Sequence, residues 1–183
     1  MELKRFDLEG PALITPKRLG DARGYFAETF KDDWFREHVA DVVFVQDNQS
    51  LSCETGTIRG LHYQAVPFEQ GKLVRCLAGA IFDVAVDIRP RSPTFGRWIG
   101  VELTPDNGDQ LWVPAGFAHG FCTLAPDTVV FYKVTAPYSR EHDRGVAFDD
   151  PDIGVVWPID LASAVLSDKD KVQPSLASLK GQD

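Results

Sequence analysis

The chain has few cysteines and no way to pair them all. Only Cys53, Cys76 and Cys122 occur. The count is odd and the spacings match no zinc or redox motif. Cys76 sits in an apolar, strand-like run and reads as a buried free thiol. Positive charge is also short: 19 Lys and Arg against 27 Asp and Glu leave a net charge of −8. That argues against nucleic acid as a partner, because phosphate backbones need a basic face. A few local cations could still hold a small phosphorylated ligand. No apolar run reaches the roughly 18 residues of a membrane span, and Asp83 and Asp87 interrupt the longest candidate. The opening MELKRFDLEG has no apolar signal core. The cytoplasm is therefore the expected compartment, with no membrane partner. Repeats, low-complexity tracts and linkers are missing as well, so residues 1–183 read as one domain.

What the chain does have is turns. Its 15 Gly and 12 Pro are spread throughout and separate short strand-like runs. Leu73 to Ala78 and Ile81 to Ile88 flank Gly79 and read as a hairpin. Phe82, Val84, Val86 and Ile88 share one face of the second run. Trp98 to Leu103, Gln110 to Val113 and Thr128 to Val134 are further strands. One helix is expected around Lys31 to Ala40, with Trp34, Phe35 and Val39 partly on one face, and short helices are expected after Leu161. Strands about ten residues apart, with such turns, predict a mainly β sandwich or barrel.

Two motifs sharpen this. Gly108 to His119 fits G-x5-P-x-G-x2-H, the second cupin motif, which delivers a His where a strand begins. Upstream, Gly56 is followed by His62, Gln64 and Glu69, close to the first cupin motif, G-x5-H-x-H-x3-4-E. The expected fold is thus a cupin-type β-barrel or jelly roll with a few short helices. Two His two apart on a strand point the same way and can clamp one ion. Here the second position is Gln64, a poor ligand. His62, Glu69 and His119 could still form a three-ligand set, but the expectation is no metal and no cofactor. His38 and His142 lie in polar stretches and read as structural.

The remaining polar groups suit proton transfer. Arg59 and His62 are three apart, so strict alternation would put them on opposite faces; Gly60 between them permits a bulge that re-aims one. Gly71-Lys72, the strand bearing Arg75, the segment Arg23 to Glu28, Tyr132 and the acids of Ser167 to Asp170 add candidates. Imidazole can take a proton near neutral pH and a phenol can return one, while Arg and Lys suit a diphosphate. Taken singly, Tyr132 reads as packed core with a bonded hydroxyl, and each Arg as solvated surface. Asp83 and Asp87 read as buried acids paired with Arg.

At DARGYFAETF (Asp21 to Phe30), FVQDNQS (Phe44 to Ser50), IRGLHYQ (Ile58 to Gln64), GKLVRCLAG (Gly71 to Gly79), VPAGFAHGF (Val113 to Phe121), YKVTAPYS (Tyr132 to Ser139), DDPDIGVVWP (Asp149 to Pro158) and LSDKD (Leu166 to Asp170), the chain closely resembles the dTDP-4-dehydrorhamnose 3,5-epimerase family. The resemblance implies inversion of C3 and C5 in a dTDP-linked 4-keto-6-deoxyhexose. It implies His62 as base, Asp170 as its carboxylate partner, Tyr132 as the acid on the opposite sugar face and Lys72 as the cation near the ketone oxygen. It places Arg23, Arg59 and His119 on the diphosphate and sugar. Glu28, Gln46 and Asn48 fall near the nucleotide, with Phe26 and Tyr138 as its aromatic partners and Asp143 and Lys169 as further substrate contacts. It also implies a homodimer in which an exchanged strand completes the nucleotide site. Asp143 replaces a common Glu, and Phe148 a common Trp. Competing readings are a relative that inverts only C3 or only C5, a metal-dependent cupin oxygenase or isomerase, and a non-catalytic sugar-binding cupin.

Overall fold

A computed structural model describes residues 1–179. The strands are β1 (Glu2–Arg5), β2 (Ala12–Thr15), β3 (Arg18–Asp21), β4 (Gly24–Ala27), β5 (Gln46–Ser52), β6 (Ile58–Gln64), β7 (Lys72–Ala78), β8 (Ile81–Asp87), β9 (Trp98–Leu103), β10 (Gln110–Val113), β11 (Phe117–Thr123), β12 (Thr128–Val134) and β13 (Asp143–Gly145). One six-stranded sheet runs β1-β2-β10-β7-β12-β5, one five-stranded sheet runs β13-β6-β11-β8-β9, and β3-β4 forms a separate hairpin. All ladders within these sheets are antiparallel. The two large sheets face each other as the expected cupin-type jelly roll.

The expected hairpin at Gly79 is not one. β7 pairs with β10 and β12, whereas β8 pairs with β11 and β9. Gly79, at φ +75°, instead carries the chain from one sheet to the other. Alternation and a glycine turn look the same in both cases, so sequence could not separate them.

Three apolar clusters position the site. Between the sheets, Val74, Cys76, Ile81, Ala85, Leu111, Val113 and Val130 fill one part of the interior. On the outer face of the five-stranded sheet, Val84, Val86 and Ile88 pack under a C-terminal tail bearing Phe148, Ile153, Trp157, Leu176 and Leu179. Both faces of β8 are therefore covered. On the outer face of the six-stranded sheet lies α1 (Asp32–His38), anchored by buried Phe35 against Ala12, Ile14, Leu73 and Trp112. Burying such a ring contributes about 1.5–3 kcal/mol. The tail forms 3-10 turns at Leu161–Ser163, Asp170–Val172 and Leu176–Leu179.

Candidate active site

The interior is not apolar throughout. On β7, Lys72 shares the inward face with Val74 and Cys76 by strict alternation. On β12, Tyr132 lies beside Val74 in register, and Val134 beside Lys72. On β5, Asn48 stands opposite Tyr132 and Gln46 opposite Val134. From the other sheet, His62 on β6 stands opposite His119 on β11. Two adjoining cavities open here, of about 370 Å³ and 410 Å³. Both are lined by His62, Lys72 and Tyr132. The first continues past Gln46, Asn48, Tyr138, Asp143 and Lys169. The second continues past Ser50, Arg59, His119, Phe121 and Asp170.

A bulge brings Arg59 and His62 together. His119 pairs with His62 and Phe121 with Arg59, so three steps on β6 match two on β11. The extra residue rotates the strand, and both side chains reach one cavity. Gly60 makes this possible: its φ is +148°, and a Cβ there would stand 2.5 Å from the Gly120 Cα.

His62 is oriented from the tail. Its Nε2 lies 2.5 Å from Asp170 Oδ1, and Ser167 donates to Asp170 Oδ2 at 2.8 Å. With Nε2–H donated to the carboxylate, Nδ1 keeps the lone pair. Burial alone would raise the Asp170 carboxyl; the hydrogen bond and charge of His62, with Ser167 and Lys169, outweigh it and hold it below its usual value. His119 forms a second pair, its Nε2 2.7 Å from Asp83 Oδ1. Asp83 is fully buried and, among the described residues, its Oδ2 has no partner. Expecting Arg partners for both buried acids was thus half right. Asp87 does bind Arg89, Ser92 and Thr94; burial opposes its charge, but these donors bring it down to about 2. Asp83 takes a His instead, because β11, one of the two strands paired with β8, carries His119.

Lys72 and Tyr132 are the groups the site leaves open. Neither the Lys72 ammonium nor the Tyr132 hydroxyl bonds to protein among the described residues. Burial pushes Lys72 down to about 8, while Asp143 and Asp83 pull it up and Lys169 pushes it down. Burial also raises Tyr132, Arg59 opposing and Asp143 adding to the rise. An imidazole on one sheet, and a phenol and an ammonium on the other, line the same two cavities, an arrangement that suits proton transfer across a flat intermediate.

A profile of the dTDP-4-dehydrorhamnose 3,5-epimerase family matches residues 5–178. The chain belongs to this family. A dTDP-4-dehydrorhamnose 3,5-epimerase from Sinorhizobium fredii is 64% identical over 167 residues, covering 91% of this chain and 85% of that one. The crystal structure of a dTDP-6-deoxy-D-glucose-3,5-epimerase from Legionella pneumophila, in complex with dTDP-4-keto-L-rhamnose, has a TM-score of 0.91 and 42% identity over 97% of this chain and 96% of that one. ChmJ, a 3'-monoepimerase from Streptomyces bikiniensis in complex with dTDP-quinovose, has a TM-score of 0.86 and 34% identity over 94% of this chain and 86% of that one.

Of the residues implied by family resemblance, the structure gathers His62, Lys72, Tyr132, Asp170, Arg59, His119, Gln46, Asn48, Tyr138, Asp143 and Lys169 around the two cavities. Asp143 accepts from Tyr138 Oη at 3.2 Å and is ion-paired with Lys169. Arg23, Phe26 and Glu28 line neither cavity and are exposed on or beside the β3-β4 hairpin. The ligand position held by Gln64 is put to another use. The side-chain Oε1 of Gln64 accepts the Ser139 N–H at 3.0 Å, and Oε1 of Gln46 accepts the neighbouring Tyr138 N–H at 3.3 Å. Glu69 is exposed, and among the described residues no three His, Cys, Asp or Glu converge as a metal site. Sequence reasoning missed Ser167, Ser50 and Phe121 as cavity residues and Asp83 as the partner of His119. Only the alternation on β8 and β11 hinted at the last.

Proposed function

We propose that this protein inverts C3 and C5 of dTDP-4-keto-6-deoxyglucose, giving dTDP-4-keto-L-rhamnose. The observation that carries the reading is the shared lining of both cavities by His62, Lys72 and Tyr132. A C–H next to a ketone is acidic because its conjugate base is an enolate. His62 Nδ1 takes that proton, Lys72 stabilises the charge that develops on the ketone oxygen, and Tyr132 delivers a proton to the opposite face. The centre inverts. The ketone at C4 activates both C3 and C5, so one base and one acid serve both. Asp170 holds the imidazole tautomer and stabilises its charged form. Arg59 and His119 hold the sugar and diphosphate, and Gln46, Asn48, Tyr138, Asp143 and Lys169 the nucleotide end. The kinship with a monoepimerase keeps single inversion as a second reading. Deuterium uptake from heavy water, read separately at C3 and C5, decides. Label at both positions is expected, and label at only one would contradict double inversion.

The working unit is a homodimer in which the β3-β4 hairpin of one subunit brings Arg23, Phe26 and Glu28 to the nucleotide site of the other. The hairpin joins neither sheet, its Leu19, Tyr25 and Phe26 are 58%, 59% and 69% exposed, and β5 is a free sheet edge carrying exposed Leu51. The protein acts in the cytoplasm, a reading supported by three free thiols; no helix among the described residues is long and apolar enough to cross a membrane.

A further inference from the structure

We propose that Ser167 is a positioning residue for proton abstraction, its hydroxyl holding the Asp170 carboxylate in the orientation that presents Oδ1 to His62. This rests on the assignment of His62 and Asp170 above.

Asp170 is 4% exposed, so each carboxylate oxygen needs a donor from the protein. Oδ1 meets His62 at 2.5 Å. Among the described residues, Oδ2 has only the Ser167 hydroxyl, at 2.8 Å. The same Oγ accepts the Asp170 backbone N–H at 3.2 Å. Ser167 therefore grips Asp170 at both its main chain and its far oxygen, which leaves the carboxylate no free rotation. A hydroxyl carries one proton, and here it is given to Oδ2; that oxygen is kept as an acceptor, which is the form His62 needs beside it.

The grip is tied to the strand that carries the base. Two residues before Ser167, Val165 bonds to Gly56 O and receives Ile58 N–H, at the start of β6. His62 lies on that same strand. The distance from base to carboxylate is thus set by one strand and one short tether. Without the hydroxyl, Oδ2 is buried and lacks a donor, and the carboxylate turns to find one, carrying Oδ1 away from His62. A plain capping role for Ser167 at the 3-10 turn predicts something else: loss of stability unconnected to Asp170.

The test compares Ser167→Ala, Ser167→Thr, Asp170→Asn and the Ser167→Ala/Asp170→Asn double variant in steady-state turnover, with dTDP binding measured in parallel. Ser167→Ala should lower kcat by about 10-fold or more, the size of one hydrogen bond to a charged group, with KM and dTDP affinity nearly unchanged. Ser167→Thr, which keeps the hydroxyl, should recover most of the rate. The double variant should be no slower than Asp170→Asn alone, because Ser167 acts only through that carboxylate. Wild-type turnover in Ser167→Ala beside a slow Asp170→Asn would overturn the proposal, as would losses that multiply in the double variant. Wild-type turnover in Asp170→Asn would instead overturn the His62–Asp170 assignment. If Ser167→Ala does not fold, Ser167→Thr and Ser167→Val, alike in shape, isolate the hydroxyl: equal rates in the two would reject the proposal.

Discussion

Lys72 has the most perturbed cation in the site and so sets a pH limit. In the proposed mechanism its charged form stabilises the enolate, and burial has brought its pKa down to about 8. Turnover should therefore fall as pH rises through that value, and Lys72→Arg, whose guanidinium stays charged, should lose this alkaline limb even if it is slower overall. A flat profile from pH 7 to 10 would show that Lys72 is not the electrostatic partner. The same depression bears on stability. The folded state disfavours the charged amine, so the cost is present below about 8 and is relieved as pH rises toward the unfolded value of about 10.4. Stability and activity should thus move in opposite directions over that window. At this scale the sequence was informative. His62, Lys72, Tyr132 and Asp170 all stand in specific motifs, and all meet in space. Asp83 and Ser167 were not legible as partners, because a carboxylate's partner depends on which strand or tail lies across from it.

At the scale of elements, β6 does the most for the site. Its bulge turns two residues of opposite parity toward one cavity, and a glycine between Arg59 and His62 was the visible sign. Gly60→Ala should strain the backbone and press a methyl into Gly120, costing about 2–6 kcal/mol in thermal or denaturant unfolding. Activity should fall further than the unfolded fraction explains, since Arg59 and His62 would lose their common face. A variant as stable and active as wild type would show that the close approach is dispensable. The misread turn at Gly79 teaches the complementary point. Period-two patterning identifies strands well but not their sheet, because both inner faces of a sandwich carry the same alternation.

At the scale of the molecule, one chain leaves part of its expected site unbuilt. Arg23, Phe26 and Glu28 lie on or beside a two-stranded hairpin that joins neither large sheet, and its partner surface lies outside the single chain's own cavities. Sedimentation should give a particle of twice the 20.3 kDa chain mass. Phe26→Glu should weaken both the dimer and dTDP binding while leaving the barrel folded. A monomer that binds dTDP as tightly as the wild-type protein would contradict the exchanged-strand site.

The claim that most needs testing is that His62 and Tyr132 act on opposite faces of the sugar. Tyr132→Phe removes one hydroxyl and keeps the ring packed against the inner cluster. His62 can still form the enolate and return a proton on its own face, which exchanges hydrogen for solvent deuterium without inversion. The measurement is deuterium exchange against epimerised product in heavy water, for wild type, Tyr132→Phe and Asp170→Asn. Inversion in Tyr132→Phe should fall by about 10²-fold or more while exchange persists, so the ratio of exchange to inversion rises. In Asp170→Asn the base itself is weakened, and both should fall together. An unchanged ratio in Tyr132→Phe, with wild-type turnover, would contradict the two-face mechanism and assign the returning proton to another group.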